Sequence, residues 1–200
     1  VKAIVIACNT ASAFALDAVK DELDIPVLGV IEAGARVAAE ETHNKRVGVI
    51  GTLGTVGSGI HEAFLKHLDP EITVIGKACP LFVPLVEEGW LHDPVTTEVA
   101  SRYLQELKQQ EIDTLILGCT HYPLIRSTIR EVMGQNVRLV NPAYETALQL
   151  KALLAELDIS SSGTGEEEFP YRFYVSDLAD EFKAFANSIL PYDVEMTKKI

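Results

Sequence analysis

The chain has 200 residues, of which 48% are hydrophobic and 23% charged, with a net charge of −12. This composition is that of a globular protein, and the length suffices for one domain or two small ones. Lys and Arg are scattered, which argues against a nucleic-acid backbone or an anionic membrane surface as a partner. The longest apolar runs are strand-sized, shorter than the roughly 20 residues of a membrane-spanning helix.

Three cysteines form an odd and widely spaced set: Cys8, Cys79 and Cys119. Such spacing gives neither a CxxC motif nor a disulfide framework, so we expect free thiols and a cytoplasmic location. No secretory signal is recognisable. The chain begins with Val1 and reaches a strand by Lys2, and we therefore expect it to be part of a longer protein.

Short β-branched runs alternate with stretches of helical period, the pattern of an α/β protein with mostly parallel sheets flanked by helices. In chain order, strands are predicted at residues 3–7, 26–30, 46–51, 72–78, 113–118, 137–140 and 171–176. Helices are predicted at residues 11–23, 32–42, 56–68, 94–109, 123–133, 144–157 and 178–190. The polar run SSSGTGEEE, residues 160–168, is predicted to be an exposed loop.

Two similar lobes are the expected domain organisation. The best candidates for domain borders are residues 30–34 and the return near residues 141–142. We therefore expect a first lobe of residues 1–32 and 141–200, with a second lobe, residues 33–140, inserted into it.

A weak internal repeat agrees with two similar lobes, because IVIACNT at residues 4–10 matches LILGCTH at residues 115–121. In each copy an apolar strand ends just before a cysteine. Ligands of parallel α/β sheets bind at the carboxyl ends of strands. Two facing lobes would thus place Cys8 and Cys119 on opposite walls of one cleft.

Inversion of a carbon centre requires one group to remove a proton from one face and another to deliver a proton to the opposite face. Cys8 and Cys119 meet that requirement if both lie near helix N-termini, where the dipole lowers a thiol pKa and attracts carboxylates. His121 is then placed to exchange a proton with Cys119, and Glu87 to orient that histidine or a substrate amine. Polar neighbours that offer hydrogen bonds to a small ligand are Asn9, Thr10, Thr120 and His121.

Each of these residues also has a structural interpretation. A cysteine after an apolar strand is more often a small buried side chain than a catalyst. Cys79 is followed by Pro80 and not by polar residues, and it is interpreted as structural. Glu87 and Glu88, taken alone, are more often solvated loop charges. A surface position is predicted for the remaining histidines, which are His43, His61, His67 and His92.

The glycine-rich run GVIGTLGTVGSG, residues 48–59, follows a strand and leads into a helix, as a phosphate-binding loop does. It lacks a GK[ST] ending and a well-placed GxGxxG, so the motif is weak. The alternative is a tight turn with Thr52 or Thr55 as the helix N-cap, in which the threonine also binds a carboxylate. A zinc site is less favoured, because no two cysteines have metal-ligand spacing.

The motifs ACNTASA, PLVEEG and GCTHYPLI resemble those of glutamate racemases, within the aspartate/glutamate racemase superfamily, and the resemblance covers nearly the whole chain. It implies a cofactor-independent bacterial enzyme that supplies D-glutamate for peptidoglycan synthesis and commonly forms a homodimer. The implied fold is two α/β lobes with the substrate buried between them. A histidine at position 121 is typical of the glutamate enzymes, whereas aspartate racemases usually have glutamate there.

The resemblance also implies roles for individual residues. Cys8 and Cys119 match the two acid/base groups, which act on opposite faces of the α-carbon of glutamate. His121 matches a residue that assists the neighbouring thiol, and Glu87 matches an acidic auxiliary. The positions that match substrate-binding residues are Asn9, Thr10, Thr52, Thr120 and His121.

The family's N-terminal Asp-Ser-Gly and Pro-Tyr-Gly motifs have no counterpart in this sequence. Because their residues bind substrate and assist the first cysteine, we expect the isolated 200-residue chain to be weakly active or inactive. Two alternatives stay open. One is another racemase or isomerase of the superfamily, acting on aspartate or small diacids, and the other is a phosphate- or nucleotide-binding module with structural cysteines.

Overall fold

The structure is a computed structural model that describes residues 1–161, 171–192, 194 and 197–199. The chain forms two compact units, Val1–Ser160 and Ser161–Ile200. Strands of the first unit are β1 (Ile4–Ile6), β2 (Val27–Gly29), β3 (Arg46–Gly51), β4 (Thr73–Ala78), β5 (Thr114–Gly118) and β6 (Arg138–Val140). Its helices are α1 (Asn9–Glu22), α2 (Ile31–Glu41), α3 (Leu53–Gly57), α4 (Ile60–Leu68), α5 (Phe82–Glu87), α6 (Pro94–Gln109), α7 (Arg126–Met133) and α8 (Pro142–Glu156), with a 3-10 turn at Tyr122–Ile125.

Every strand pair that the structure describes is parallel, which confirms the predicted α/β class. In the first unit, β1 pairs with β2, and a four-stranded sheet has the order β4-β3-β5-β6. The second unit contains β7 (Phe173–Val175), α9 (Ala179–Ile189) and β8 (Thr197–Lys199), with β7 paired to β8. The division of the chain into lobes 1–32 with 141–200 and 33–140 stays a prediction.

Helices cover both faces of the four-stranded sheet. Because side chains alternate along a strand, Val47 and Val49 of β3 share one face, where they pack with Leu65 of α4 and with alanines of α2. On the opposite face, Leu107 of α6 lies over Gly48. The sheet is therefore covered by helices on both faces, as is usual for a parallel sheet.

Two predictions in the middle of the chain are wrong. The single helix predicted at residues 56–68 is two helices, α3 and α4, because Gly59 adopts a left-handed conformation with φ of 67° that interrupts the helical path. Helix α5 was not predicted, because Pro84 lies within it. Pro is tolerated in a first helical turn, and Phe82 and Val86, one turn apart, are fully buried.

The other predicted helices and strands are confirmed, with ends that differ by a few residues. Strand β8 was not predicted, since its sequence TKK lacks the apolar alternation of a strand. Most of the predicted loop at residues 160–168 lies outside the described residues.

Candidate active site

The candidate site lies where three strands end. Cys8 follows β1, Thr52 follows β3 and Cys119 follows β5. Strands β3 and β5 are neighbours, and Gly51 pairs in register with Gly118. Thr52 and Cys119 therefore leave the sheet side by side, at the edge where parallel α/β proteins bind ligands.

Cys8 occupies the N-cap position of α1, and its side chain makes no capping hydrogen bond. It is exposed, and its thiol is free. The helix behind it is fixed by Ser12, whose hydroxyl donates to the Ile6 carbonyl oxygen (2.8 Å) and accepts from the Val30 N–H (3.3 Å). The exposed thiol of Cys8 therefore lies at the first turn of a helix that Ser12 fixes to β1 and to the segment after β2.

Cys119 has a different environment, because only 8% of its surface is exposed. Burial raises the pKa of this thiol above its usual value, and the backbone N–H of His121 acts in the opposite direction. A Cys8 thiolate would raise the pKa of Cys119 further by charge repulsion. The expected lowering of the Cys119 pKa is therefore wrong, since desolvation outweighs the nearby donors.

His121 connects Cys119 to Glu87. Its Nδ1 atom lies 3.9 Å from the Cys119 sulfur and 3.2 Å from the Thr120 hydroxyl. Its Nε2 atom lies 3.3 Å from Oε1 of Glu87, at the end of α5. Glu87 is 60% exposed on its side chain and His121 only 24%, so the carboxylate reaches the ring from the solvent side.

Three threonine hydroxyls form a closed triangle next to Cys8. Thr10 lies 2.8 Å from Thr52 and 2.9 Å from Thr55, and Thr52 donates to Thr55 over 3.1 Å. The triangle links α1 to the segment that follows β3. Thr52 is also the N-cap of α3, accepting from the Thr55 N–H, as the sequence suggested. The contact of Thr55 with Thr10 was missed, because only the folded chain brings them together.

Asn9 contributes a buried polar group beside the first thiol. It is 3% exposed, and its Oδ1 atom has no hydrogen-bond partner within the described part of the chain. A buried acceptor of this kind suits a ligand N–H group. In the described ranges, no three His, Cys, Asp or Glu side chains form a group that could hold a metal ion.

The remaining cysteine is buried, and the remaining histidines differ in their exposure. Cys79 is fully buried and its pKa is raised to about 12 by burial, which agrees with a structural role. His43, His67 and His92 are exposed, as predicted. The prediction for His61 is wrong, because only 3% of its surface is exposed. Its position in the first turn of α4 turns the ring toward the sheet rather than the solvent.

The glycine-rich segment forms hydrogen bonds within itself. The N–H of Thr55 donates to the Thr52 hydroxyl, and the N–H groups of Val56 and Ser58 donate to backbone carbonyls of the same segment. The segment is a strand-to-helix turn that presents hydroxyl groups.

Residues 1–150 match the model of the Asp/Glu/Hydantoin racemase family. The curated glutamate racemase of Lactiplantibacillus plantarum is 44% identical to this chain, and that of Geobacter metallireducens is 46% identical. Both alignments cover 95% of this chain. They cover 69% of the first relative and 70% of the second. The chain belongs to the glutamate racemase family. It is accordingly an isomerase, and it shares the two-lobed α/β fold of that family.

Solved structures of the family agree. The structure of glutamate racemase isoform RacE1 from Bacillus anthracis superposes on this chain with a TM-score of 0.94 and 37% sequence identity. The match covers 100% of this chain and 74% of the RacE1 chain. The glutamate racemase of Francisella tularensis, solved in complex with D-glutamate, superposes with a TM-score of 0.91 and 35% sequence identity. The match covers 100% of this chain and 73% of the Francisella chain. Within the residues that the structure describes, no helix has the length and apolar character needed to cross a membrane.

Proposed function

We propose that this racemase interconverts L- and D-glutamate without a cofactor, using Cys8 and Cys119 as opposed acid/base groups. The observation that carries the proposal is that Cys8 and Cys119 each follow the carboxyl end of a parallel strand, with His121 lying between the Cys119 sulfur and Glu87. Glutamate as the substrate is supported by the family and by the D-glutamate complex of the Francisella tularensis enzyme.

The two thiols need opposite protonation states. One cysteine, as thiolate, removes the α-proton and becomes a thiol, while the other, as thiol, delivers its proton to the opposite face and becomes a thiolate. The two roles are then exchanged, so the same pair performs the reverse reaction. Burial raises the pKa of Cys119, which favours its neutral thiol form in the ligand-free site.

His121 and Glu87 assist the buried thiol. The ring of His121 lies between the Cys119 sulfur and the Glu87 carboxylate. It can accept the thiol proton or return it, and the carboxylate fixes the orientation of the ring. Glu87 is thus a positioning residue, and His121 is the group that touches the reacting sulfur.

The net charge of the chain is −12, so its overall field does not attract the substrate's carboxylates. None of the side chains proposed here to bind substrate is Arg or Lys. Neutral hydrogen-bond donors must therefore hold the carboxylates. The Thr10 hydroxyl, two residues after Cys8, contacts that of Thr52, and the Thr120 hydroxyl, directly after Cys119, contacts His121. Asn9, next to Cys8 in the chain, would accept a hydrogen bond from the substrate's amino group through its buried Oδ1. Neutral donors at helix starts hold a carboxylate well without a salt bridge.

The family further supports a wider role, which we include in the proposal. The D-glutamate product would serve peptidoglycan synthesis in the bacterial cytoplasm, and the enzyme would work as a homodimer. Cell-wall precursor synthesis needs a steady supply of this enantiomer.

The test of the substrate is direct. The full-length gene product, supplied with L-glutamate and no pyridoxal phosphate, is expected to form D-glutamate, whereas L-aspartate should react at least tenfold more slowly, a difference of about 1.4 kcal/mol in transition-state binding. A Cys79→Ala variant is the matched control, because the Cys79 thiol is fully buried and donates to the Lys77 carbonyl oxygen rather than to a residue of the proposed mechanism. Faster turnover of aspartate, or of another small diacid, would assign the enzyme to a different branch of the superfamily.

A further inference from the structure

Tyr122 is a fully buried side chain that the proposed mechanism does not use. It directly follows His121 and begins the 3-10 turn, and its N–H donates to the Cys119 carbonyl oxygen (3.2 Å). Its hydroxyl donates to the carbonyl oxygen of Cys79 (2.9 Å), 43 residues earlier in the chain. Burial raises the pKa of Tyr122, so the hydroxyl stays protonated and acts as a donor near neutral pH. Tyr122 therefore joins the turn after β5 to the end of β4.

Both points that Tyr122 joins belong to the four-stranded sheet. The N–H of Cys79 donates to the Gly51 carbonyl oxygen (2.9 Å), which continues the β3–β4 pairing past the end of β4. Gly51 also pairs in register with Gly118, the residue before Cys119. Core strands of this kind are among the last parts of a protein to open. The acceptor of the Tyr122 hydroxyl is therefore a fixed point.

The Cys79 carbonyl oxygen also fixes the start of α5. The Phe82 N–H donates to it over 3.1 Å, and a carbonyl has two lone pairs, so it accepts from Phe82 and Tyr122 together. The two rings pack edge to face, with centroids 5.1 Å apart and planes at 88°. The ring of Tyr103, on α6, packs in the same way against Phe82, at 5.4 Å and 87°. One backbone oxygen thus holds the first turn of α5 and the turn that follows Cys119.

We propose that Tyr122 is a positioning residue of the racemase site, whose hydroxyl bond to the end of β4 fixes the contact between His121 and Glu87. Helix α5 runs from Phe82 to Glu87, and His121 directly precedes Tyr122, so each side of the 3.3 Å contact is tied to the shared oxygen. Precise placement matters, because an error of about 1 Å in a catalytic arrangement costs on the order of 100-fold in rate. The inference rests on the proposed function, in which this contact assists the Cys119 thiol.

The test is a double-mutant cycle in the full-length gene product. Tyr122→Phe removes the hydroxyl and keeps the ring, and the shared oxygen still accepts from the Phe82 N–H, so the variant should fold. Glu87→Ala removes the other partner of the contact, alone and in combination. Thr146→Val is the matched control, because it removes a buried hydroxyl that donates to the Pro142 carbonyl oxygen (2.7 Å) within α8. For each protein, kcat and KM for glutamate, the thermal unfolding temperature and amide hydrogen exchange are measured.

A positioning role predicts that Tyr122→Phe lowers kcat about fivefold or more and changes KM less than about twofold. In the Glu87→Ala background the same substitution should cost less than about twofold, because the contact that it positions is already lost, whereas two independent losses would multiply. Thr146→Val should lower the unfolding temperature by a similar amount and keep the parent's kcat. Full multiplication of the two losses, or the parent's kcat in Tyr122→Phe, would overturn the proposal.

Amide hydrogen exchange tests the same bond without substrate. The amides of Phe82 and residue 122 should exchange at least about fivefold faster in Tyr122→Phe than in the parent or in Thr146→Val. Unchanged exchange would overturn the positioning role whatever the protein turns over. A parent protein that does not racemise glutamate would instead contradict the proposed function, so the two failures can be told apart.

Discussion

Oε1 of Glu87 lies 3.3 Å from Nε2 of His121, although 34 residues separate them in the chain. The carboxylate comes from the last residue of the unpredicted helix α5, and the histidine follows β5. Glu87 is therefore not an isolated surface charge. It contacts His121, which in turn contacts the Cys119 sulfur.

Replacement of Glu87 by Gln is expected to lower kcat about tenfold, less than the roughly 10²–10⁴-fold loss that follows removal of an acid/base group itself. The variant keeps the shape of the side chain but loses the charge-assisted hydrogen bond that orients His121. Steady-state racemisation kinetics measure the effect. Glu88→Gln is the control, because Glu88 is exposed and adjacent; an equal loss in both variants would refute a specific role for Glu87.

Thr55→Val removes the hydroxyl that contacts both Thr10 and Thr52. We expect KM for glutamate to rise several-fold, because the two proposed carboxylate donors lose a shared partner, and the free energy of unfolding to fall by about 1 kcal/mol. Thr128→Val removes a comparable buried hydrogen bond, to the Leu91 carbonyl oxygen, away from the site. It should lose similar stability with an unchanged KM. An unchanged KM in the Thr55→Val variant would show that the threonine triangle has no role in substrate binding.

The three thiols should react with iodoacetamide in a fixed order near neutral pH. Cys8 is exposed and should be alkylated first. Cys119 should follow slowly, because it is buried and its pKa is raised. Cys79, with a pKa raised to about 12, should stay unmodified in the folded protein. Peptide mass spectrometry reads the order, and modification of Cys79 before Cys119 would contradict the structure.

His61 makes the stability depend on pH. Its pKa is lowered from 6.5 to about 4 in the folded chain, so the unfolded chain binds the extra proton more readily. Stability should be fully present above pH 6.5 and should decrease as the pH falls toward 4, by at most on the order of 3 kcal/mol. Urea unfolding at several pH values measures this slope. His61→Phe should remove this part of the slope, and an identical slope in the variant would show that His61 does not titrate in this way.

Much of the site could be predicted from the sequence, because strand ends are local features. Cys8 and Cys119 each follow an apolar run, and that pattern correctly placed both at the carboxyl ends of parallel strands. Thr52 was recognised as a possible N-cap from its place between a strand and a helix. The roles of these residues in catalysis stay predictions.

What could not be predicted depends on packing between distant segments. His61 has polar neighbours in the sequence, but Leu65, one turn later, is fully buried, and that spacing was the available sign of an inward-facing ring. The raised pKa of Cys119 depends on burial within the fold, which a motif does not show. Thr55 lies 45 residues from Thr10, so their hydrogen bond exists only in the folded unit.

The two-thiol mechanism is tested most directly by solvent-deuterium incorporation at the α-carbon of L- and D-glutamate. The full-length gene product is compared with its Cys8→Ala and Cys119→Ala variants, in deuterium oxide and without pyridoxal phosphate. The mechanism predicts that the parent protein incorporates deuterium as it inverts the substrate and that each variant loses inversion. Inversion at the parent's rate by either variant would contradict it.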